Sequence, residues 1–178
     1  MRIDDVLYFA PSIRFDEVDL GGKQLPEQFR ARIEGFYLQP AELCSEKNAA
    51  FSAGVLVLAC IDALARVQIG GDVGARFKKF SADELSSFKS VDRAARLYYD
   101  FRNGLIHEVR IKKGAQFSLQ FDETIVELDG VLVINPRHLA GEVRTALGRY
   151  VGQLQEHPEK FRQLTVMLCE DHVDDVRR

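Results

Sequence analysis

Arg102, Asn103 and His107 are the residues of this chain whose types and spacing suit chemistry. They sit in the stretch Tyr98-Tyr99-Asp100-Phe101-Arg102-Asn103-Gly104-Leu105-Ile106-His107-Glu108-Val109-Arg110-Ile111-Lys112-Lys113. Histidine, with an ordinary pKa near 6.5, can take or give a proton close to neutrality. Arginine keeps its charge and grips phosphate oxygens with two N–H groups at once. Asparagine can orient either partner. Cleavage of RNA by its own 2′-hydroxyl asks for this set. A base removes the hydroxyl proton, a cation holds the charge that builds on the phosphoryl oxygens, and an acid protonates the departing 5′-oxygen. No metal and no cofactor is required.

A helix must lead into this set. Arg102 and His107 are five residues apart, about 140° around a regular helix. The two share a face only if the chain bends or the arginine curls back. Asn103-Gly104 is a turn signal that permits such a bend. Asn103 and His107, four apart, share a face if the helix continues. The surroundings are basic: Lys89 to Lys113 holds seven Lys or Arg against three Asp or Glu, a net of +4 in a chain of −3. An isolated basic segment in an acidic protein faces anions. Arg96, Arg110, Lys112 and Lys113 are therefore candidate contacts to a nucleic-acid backbone. The competing reading is structural. His107 would cap carbonyls, Arg102 would pair with Asp100 or Glu108, and the lysines would belong to a solvated loop.

The string Phe101-Arg102-Asn103-Gly104-Leu105-Ile106-His107-Glu108 resembles the Arg-x4-6-His motif of the HEPN superfamily (higher eukaryotes and prokaryotes nucleotide-binding). The resemblance is tight over these eight residues and loose over the helical order of residues 26 to 110. It implies an up-down helical bundle, a homodimer, and a metal-independent ribonuclease of the kind found in toxin–antitoxin, abortive-infection and CRISPR systems. Arg102, Asn103 and His107 would then be the catalytic residues, meeting their counterparts across the dimer interface. Two departures stand out. Members paired with a nucleotidyltransferase antitoxin often carry Tyr two residues after the His, where this chain has Val109. A predicted hairpin over residues 115 to 134 also lies outside the minimal bundle.

The rest of the chain frames this centre. At 178 residues it is expected to form a single domain over 1–178. No signal peptide is recognisable, and the most apolar run, Ala49 to Ile61, is shorter than the roughly 20 residues of a membrane span. A cytoplasmic protein without a membrane segment is expected. Cys44, Cys60 and Cys169 have no zinc-type spacing and read as reduced thiols.

Residues 1 to 25 read as an irregular or short-strand segment anchored by Tyr8, Phe9 and Phe15. Pro26 opens a helix that Pro40 stops or kinks near Leu38. The next helix is predicted over Ala41 to Ile69, surrounded by other elements, with Asp62 and Arg66 as a surface pair. Residues 70 to 80 read as a Gly-rich loop with a basic tail. Ser81-Ala82-Asp83-Glu84 has the form of a capping box opening a helix with Leu85, Phe88, Val91, Ala95, Tyr98 and Phe101 on its apolar face. Residues 116 to 121 alternate as a strand, and Asp129-Gly130 joins two more in a hairpin. Asn135-Pro136 caps a helix carrying Leu139, Val143, Leu147, Tyr150 and Leu154. Pro158 opens a last helix with Phe161, Leu164 and Leu168, ending in a solvated acidic tail.

The expected fold is thus mainly α, a HEPN-like up-down bundle with a small antiparallel hairpin at about 115–134. Three functions fit. The first is the homodimeric ribonuclease. The second is a non-catalytic HEPN-like module that binds RNA or a nucleotide. The third is a regulatory protein whose basic segment docks an antitoxin or another protein.

Overall fold

A computed structural model describes residues 2–3, 5–104 and 111–176. The fold is mainly α-helical, a bundle with a small sheet at 116–134 as expected. Its packing divides into two compact units, Met1–Phe36 with Leu147–Arg178, and Tyr37–Ala146.

The first unit joins both ends of the chain. Strands β1 (Arg2–Ile3), β2 (Val6–Ala10) and β3 (Ile13–Arg14) form an antiparallel meander, more regular than the predicted segment. Helix α1 (Leu25–Ile33) follows. The C-terminal half of α6 (Pro136–Glu156) and all of α7 (Pro158–Val176) complete the unit. Phe9, Phe29, Tyr150, Leu154, Leu164 and Leu168 are buried there. Thr165 Oγ1 donates to Leu20 O at 2.8 Å, and Phe15 stacks on the buried His172 at 4.5 Å. The acidic tail is thus helical, with Glu170 and Asp171 exposed and His172 inside.

The second unit carries the basic segment. Between α1 and α2 (Gln39–Glu46), residues Glu34–Leu38 form a π-turn. Pro40 therefore falls in the first turn of a new helix instead of ending an old one. Its missing N–H cannot bond back to Phe36, and the widened turn absorbs that loss. The single helix predicted over 41–69 is in fact two, α2 and α3 (Ala50–Gln68). The break is at Asn48, whose φ of 58° lies in the left-handed region that Asn tolerates better than most residues.

The predicted loop at 70–80 is also corrected. Asp72 Oδ1 accepts from Ala75 N at 2.8 Å and caps α4 (Val73–Glu84). Gly70 and Gly71, both at positive φ, make the turn before it. The Ser81-to-Glu84 capping box lies inside the end of α4, where Ser81 Oγ is buried and donates to Phe77 O at 2.8 Å. The cap that opens the next helix is Ser90, accepting from Arg93 N. Helix α5 (Val91–Arg96) then passes into a second π-turn, Leu97–Arg102. This start shifts the apolar stripe: Ala94, Leu97 and Phe101 are buried, while Val91 is 79% exposed.

The hairpin forms as read, β5 (Ile125–Leu128) against β6 (Val131–Ile134), with Asp129 and Gly130 both at positive φ as a type I′ turn demands. The strand before it does not run to residue 121. β4 is Gln116–Phe117 alone, and it pairs parallel to β6, so the sheet is mixed. Ser118 Oγ accepts from Gln120 N at 3.2 Å, a local turn that ends the ladder. Asn135 accepts from Arg137 N at 2.9 Å and starts α6 with Pro136, as predicted. Phe117 packs against α3 where Gly54 leaves room, and its ring lies 5.0 Å from that of Phe101. That contact seats the residue immediately before Arg102.

Candidate functional site

Arg102 ends the second π-turn. A π-turn bonds i to i+5 and holds more residues per turn than an α-helix, so Tyr98 and Arg102 come to one side. The guanidinium carbon of Arg102 is 5.6 Å from the Tyr98 ring centre. Tyr98 is itself wedged. Its ring lies 5.6 Å from Phe77, and a side chain at Gly74 would press on its hydroxyl.

The partner that fixes Arg102 comes from α3. Arg102 Nε and Nη2 both donate to Asp62 Oδ2, at 3.0 and 2.5 Å. Asp62 Oδ1 faces Arg76 Nη2 of α4 at 3.8 Å. One carboxylate thus stands between two guanidinium groups from different elements. Arg102 and Asp62 side chains are only 11% and 20% exposed, so the pair works where solvent screens poorly. Asp62, expected to pair with Arg66 on the surface of its own helix, bonds across helices to Arg102 and is only 20% exposed. Among the described residues Arg102 does not pair with Asp100, which faces Arg96 and Lys113, and Glu108 lies outside them. Its Nη1 has no hydrogen-bond partner among the described residues.

Asp100 does different work. It is 1% exposed, with Arg96 Nε at 3.5 Å and Lys113 Nζ at 3.4 Å. Its carbonyl accepts from Lys112 N at 2.8 Å. The two ends of the segment between Asp100 and Lys112 are thereby pinned together. Of the predicted contacts to nucleic acid, Arg96 is engaged with Glu127 at 3.0 Å and with Gly130 O at 3.0 Å, tying the hairpin to α5. Lys113 is exposed with φ of 53°. Asn103 is half-buried and closes the π-turn, its N–H donating to Tyr98 O. His107 and Arg110 lie outside the described residues.

Sequence reasoning missed two neighbours. Lys78 of α4 lies over the Tyr99 ring at 5.2 Å and over the Tyr98 ring at 5.8 Å, and Arg76 faces Asp62. The basic tail Arg76-Lys78-Lys79 was visible, but as a loop it had no direction. On a helix, residues 74, 77 and 78 share a face and bring Lys78 to the tyrosines.

Among the described residues no cluster of His, Cys, Asp and Glu could hold a metal ion. The arrangement is a cation fixed by a carboxylate, flanked by aromatic rings and a second and third basic side chain. It can bind a phosphate group and stabilise charge that develops on it. Comparison with protein-family models, characterised proteins and solved structures finds no match to this chain.

Proposed function

We propose that this chain is a HEPN-like, metal-independent endoribonuclease that acts in the cytoplasm as a homodimer, in a toxin–antitoxin or defence setting. The observation that carries the proposal is the state of Arg102. The arginine of the Arg-x4-His string is held side-on by Asp62 through Nε and Nη2, which fixes its charge in place. A fixed, desolvated guanidinium stabilises a phosphorane more than a mobile one, because it needs no reorganisation as charge develops. In this reading His107 takes the proton of the 2′-hydroxyl, whose oxygen attacks the adjacent phosphorus. Arg102 Nη1 donates to a phosphoryl oxygen, Asn103 orients the groups, and the partner protomer's histidine protonates the departing 5′-oxygen. The products are a 2′,3′-cyclic phosphate and a 5′-hydroxyl.

The dimer has support in α3. Phe51 is 50% exposed and Val55, one turn on, is open as well, on the most apolar helix of the chain. This face was expected to be surrounded. Asp62 lies seven residues after Val55, about two turns further along the same line. Two copies paired through this stripe would bring their Asp62–Arg102 pairs toward the two-fold axis.

The same ion pair suits two other readings. An arginine committed to a carboxylate and little exposed also suits a binding module without turnover, or a surface for an antitoxin or regulatory protein. The experiment is RNA cleavage in EDTA by the wild type, His107→Ala and Arg102→Ala, with product ends identified. Cleavage leaving 2′,3′-cyclic phosphate, lost in both variants, establishes the ribonuclease. Salt-sensitive RNA binding without cleavage assigns the binding module. Neither binding nor cleavage leaves the protein-docking surface.

A further inference from the structure

We propose that Tyr99, backed by Lys78 and Tyr98, is a stacking platform that seats one unpaired base of the RNA beside Arg102. The proposal rests on the ribonuclease reading for its substrate and on separate geometry for its place. Tyr99 is 49% exposed, an unusual position for a ring three residues before a buried ion pair. It is not a loose surface tyrosine. Its ring meets Tyr98 edge-on at 5.1 Å, and Tyr98 is locked by Phe77 and the Arg102 guanidinium. Lys78 Nζ lies 5.2 Å from the Tyr99 ring centre and 3.4 Å from its hydroxyl. A ring held by a cation and an edge-on neighbour, yet half exposed, is preorganised to receive another flat group.

Charge selects that group. Lys78, Arg76 and Arg102 supply three positive charges on this side of α4 and the π-turn, and Asp62 offsets one. A base on Tyr99 would carry its phosphates into this field, beside the Arg102 guanidinium. Aromatic faces alternating with cations are how proteins hold single strands without reading sequence, since every base has a π-face. A duplex keeps its bases stacked inward and cannot use the ring. The platform therefore selects unpaired RNA at this position, and it is a specificity-determining residue rather than a catalytic one.

The chain contains no tryptophan, so Tyr99→Trp places a single reporter on the platform. The probe is a short, fully 2′-O-methyl oligouridine, which offers no 2′-hydroxyl for attack and reports binding alone. We expect its addition to quench the tryptophan emission of that variant. Tyr99→Phe should bind like the wild type. Tyr99→Ala should bind about 5- to 150-fold more weakly, the range given by about 1–3 kcal/mol per stacked base. A single abasic position in the oligonucleotide should cost a similar factor in the wild type and add nothing to Tyr99→Ala.

Unchanged emission from the Tyr99→Trp variant at oligonucleotide concentrations that saturate binding would overturn the platform, as would full-strength binding by Tyr99→Ala. If Tyr99→Ala instead converts a dimer to a monomer while RNA affinity holds, the ring belongs to a protein interface and the proposal fails. The two readings separate cleanly. Quenching and weakened binding without cleavage keep the platform and remove the nuclease. His107-dependent cleavage with an unchanged KM in Tyr99→Ala keeps the nuclease and removes the platform. No RNA binding by the wild type removes both.

Discussion

Removing the Asp62 carboxylate should destabilise the protein and loosen Arg102 in one step. Asp62 Oδ2 takes two N–H groups from Arg102, and Oδ1 faces Arg76 at 3.8 Å. Asp62→Ala leaves two guanidinium groups near one another with no counter-charge. Fully exposed pairs contribute about 0.2–1 kcal/mol, whereas breaking a buried pair costs about 3–5 kcal/mol. With side chains 11% and 20% exposed, the pair lies toward the buried limit. Discounting for the residual screening gives about 2–3 kcal/mol, or roughly 4–12 °C in Tm for a chain of this length. A double-mutant cycle separates this pair from general damage. Asp62→Ala with Arg102→Ala should cost less than the two single changes together, by about 1–2 kcal/mol, because the second change removes the charge that the first left stranded. Asp62→Asn keeps the shape and one acceptor and should fall between. Calorimetric Tm for the four proteins of the cycle is the assay. A Tm of Asp62→Ala within about 1 °C of wild type, well under the shift expected from even about 1 kcal/mol, or strict additivity in the cycle, would refute the view that Asp62 holds Arg102.

Three further outcomes follow from the same geometry. Gly54→Ala would drive a methyl group into the Phe117 ring and, through Phe101, disturb the approach to Arg102; urea unfolding should show a loss of about 1–3 kcal/mol. Phe51→Glu sets a charge in the open stripe of α3; the proposed dimer through that stripe then predicts a monomer by light scattering where the wild type is a dimer, with little change in the circular dichroism of the subunit. Burial pushes the Tyr150 hydroxyl well above its usual 10.0, so the unfolded chain gives up that proton first. The contribution is intact below pH 10.0 and is lost as pH rises past it, and Tyr150→Phe should flatten the fall of urea midpoint measured between neutral pH and the alkaline range.

How far the sequence could be read depended on where the deciding contact came from. Local signals held. Asn135-Pro136 started its helix, Asp129-Gly130 made its hairpin, and the stripe from Leu139 to Leu154 is buried residue for residue. The failures share a cause. Ser81-x-x-Glu84 satisfies the pattern of a cap, yet a serine inside a helix can donate to the carbonyl four residues back, as Ser81 does to Phe77. Which role it plays depends on whether α4 has already begun, and Asp72 had begun it. Likewise the apolar run through 49–61 gave the helix but not its ends, since Asn48 breaks the chain by a backbone angle rather than by hydropathy.

The candidate site shows the same division at higher stakes. Arg102 and Asn103 stand out by type and order alone, but what makes Arg102 useful is Asp62, forty positions earlier. Nothing in the spacing of Asp62 and Arg66 distinguishes a surface pair from a residue aimed at another helix. The distinction appears only once α3 and the π-turn are packed together. Lys78 is a parallel case, because a basic residue assigned to a loop has no face, and on α4 it sits above two tyrosines. The motif names the group that can meet the phosphate. The packing of α3 and α4 around it supplies the fixed geometry and the low exposure of the Asp62–Arg102 pair, and on these the proposed nuclease reading rests.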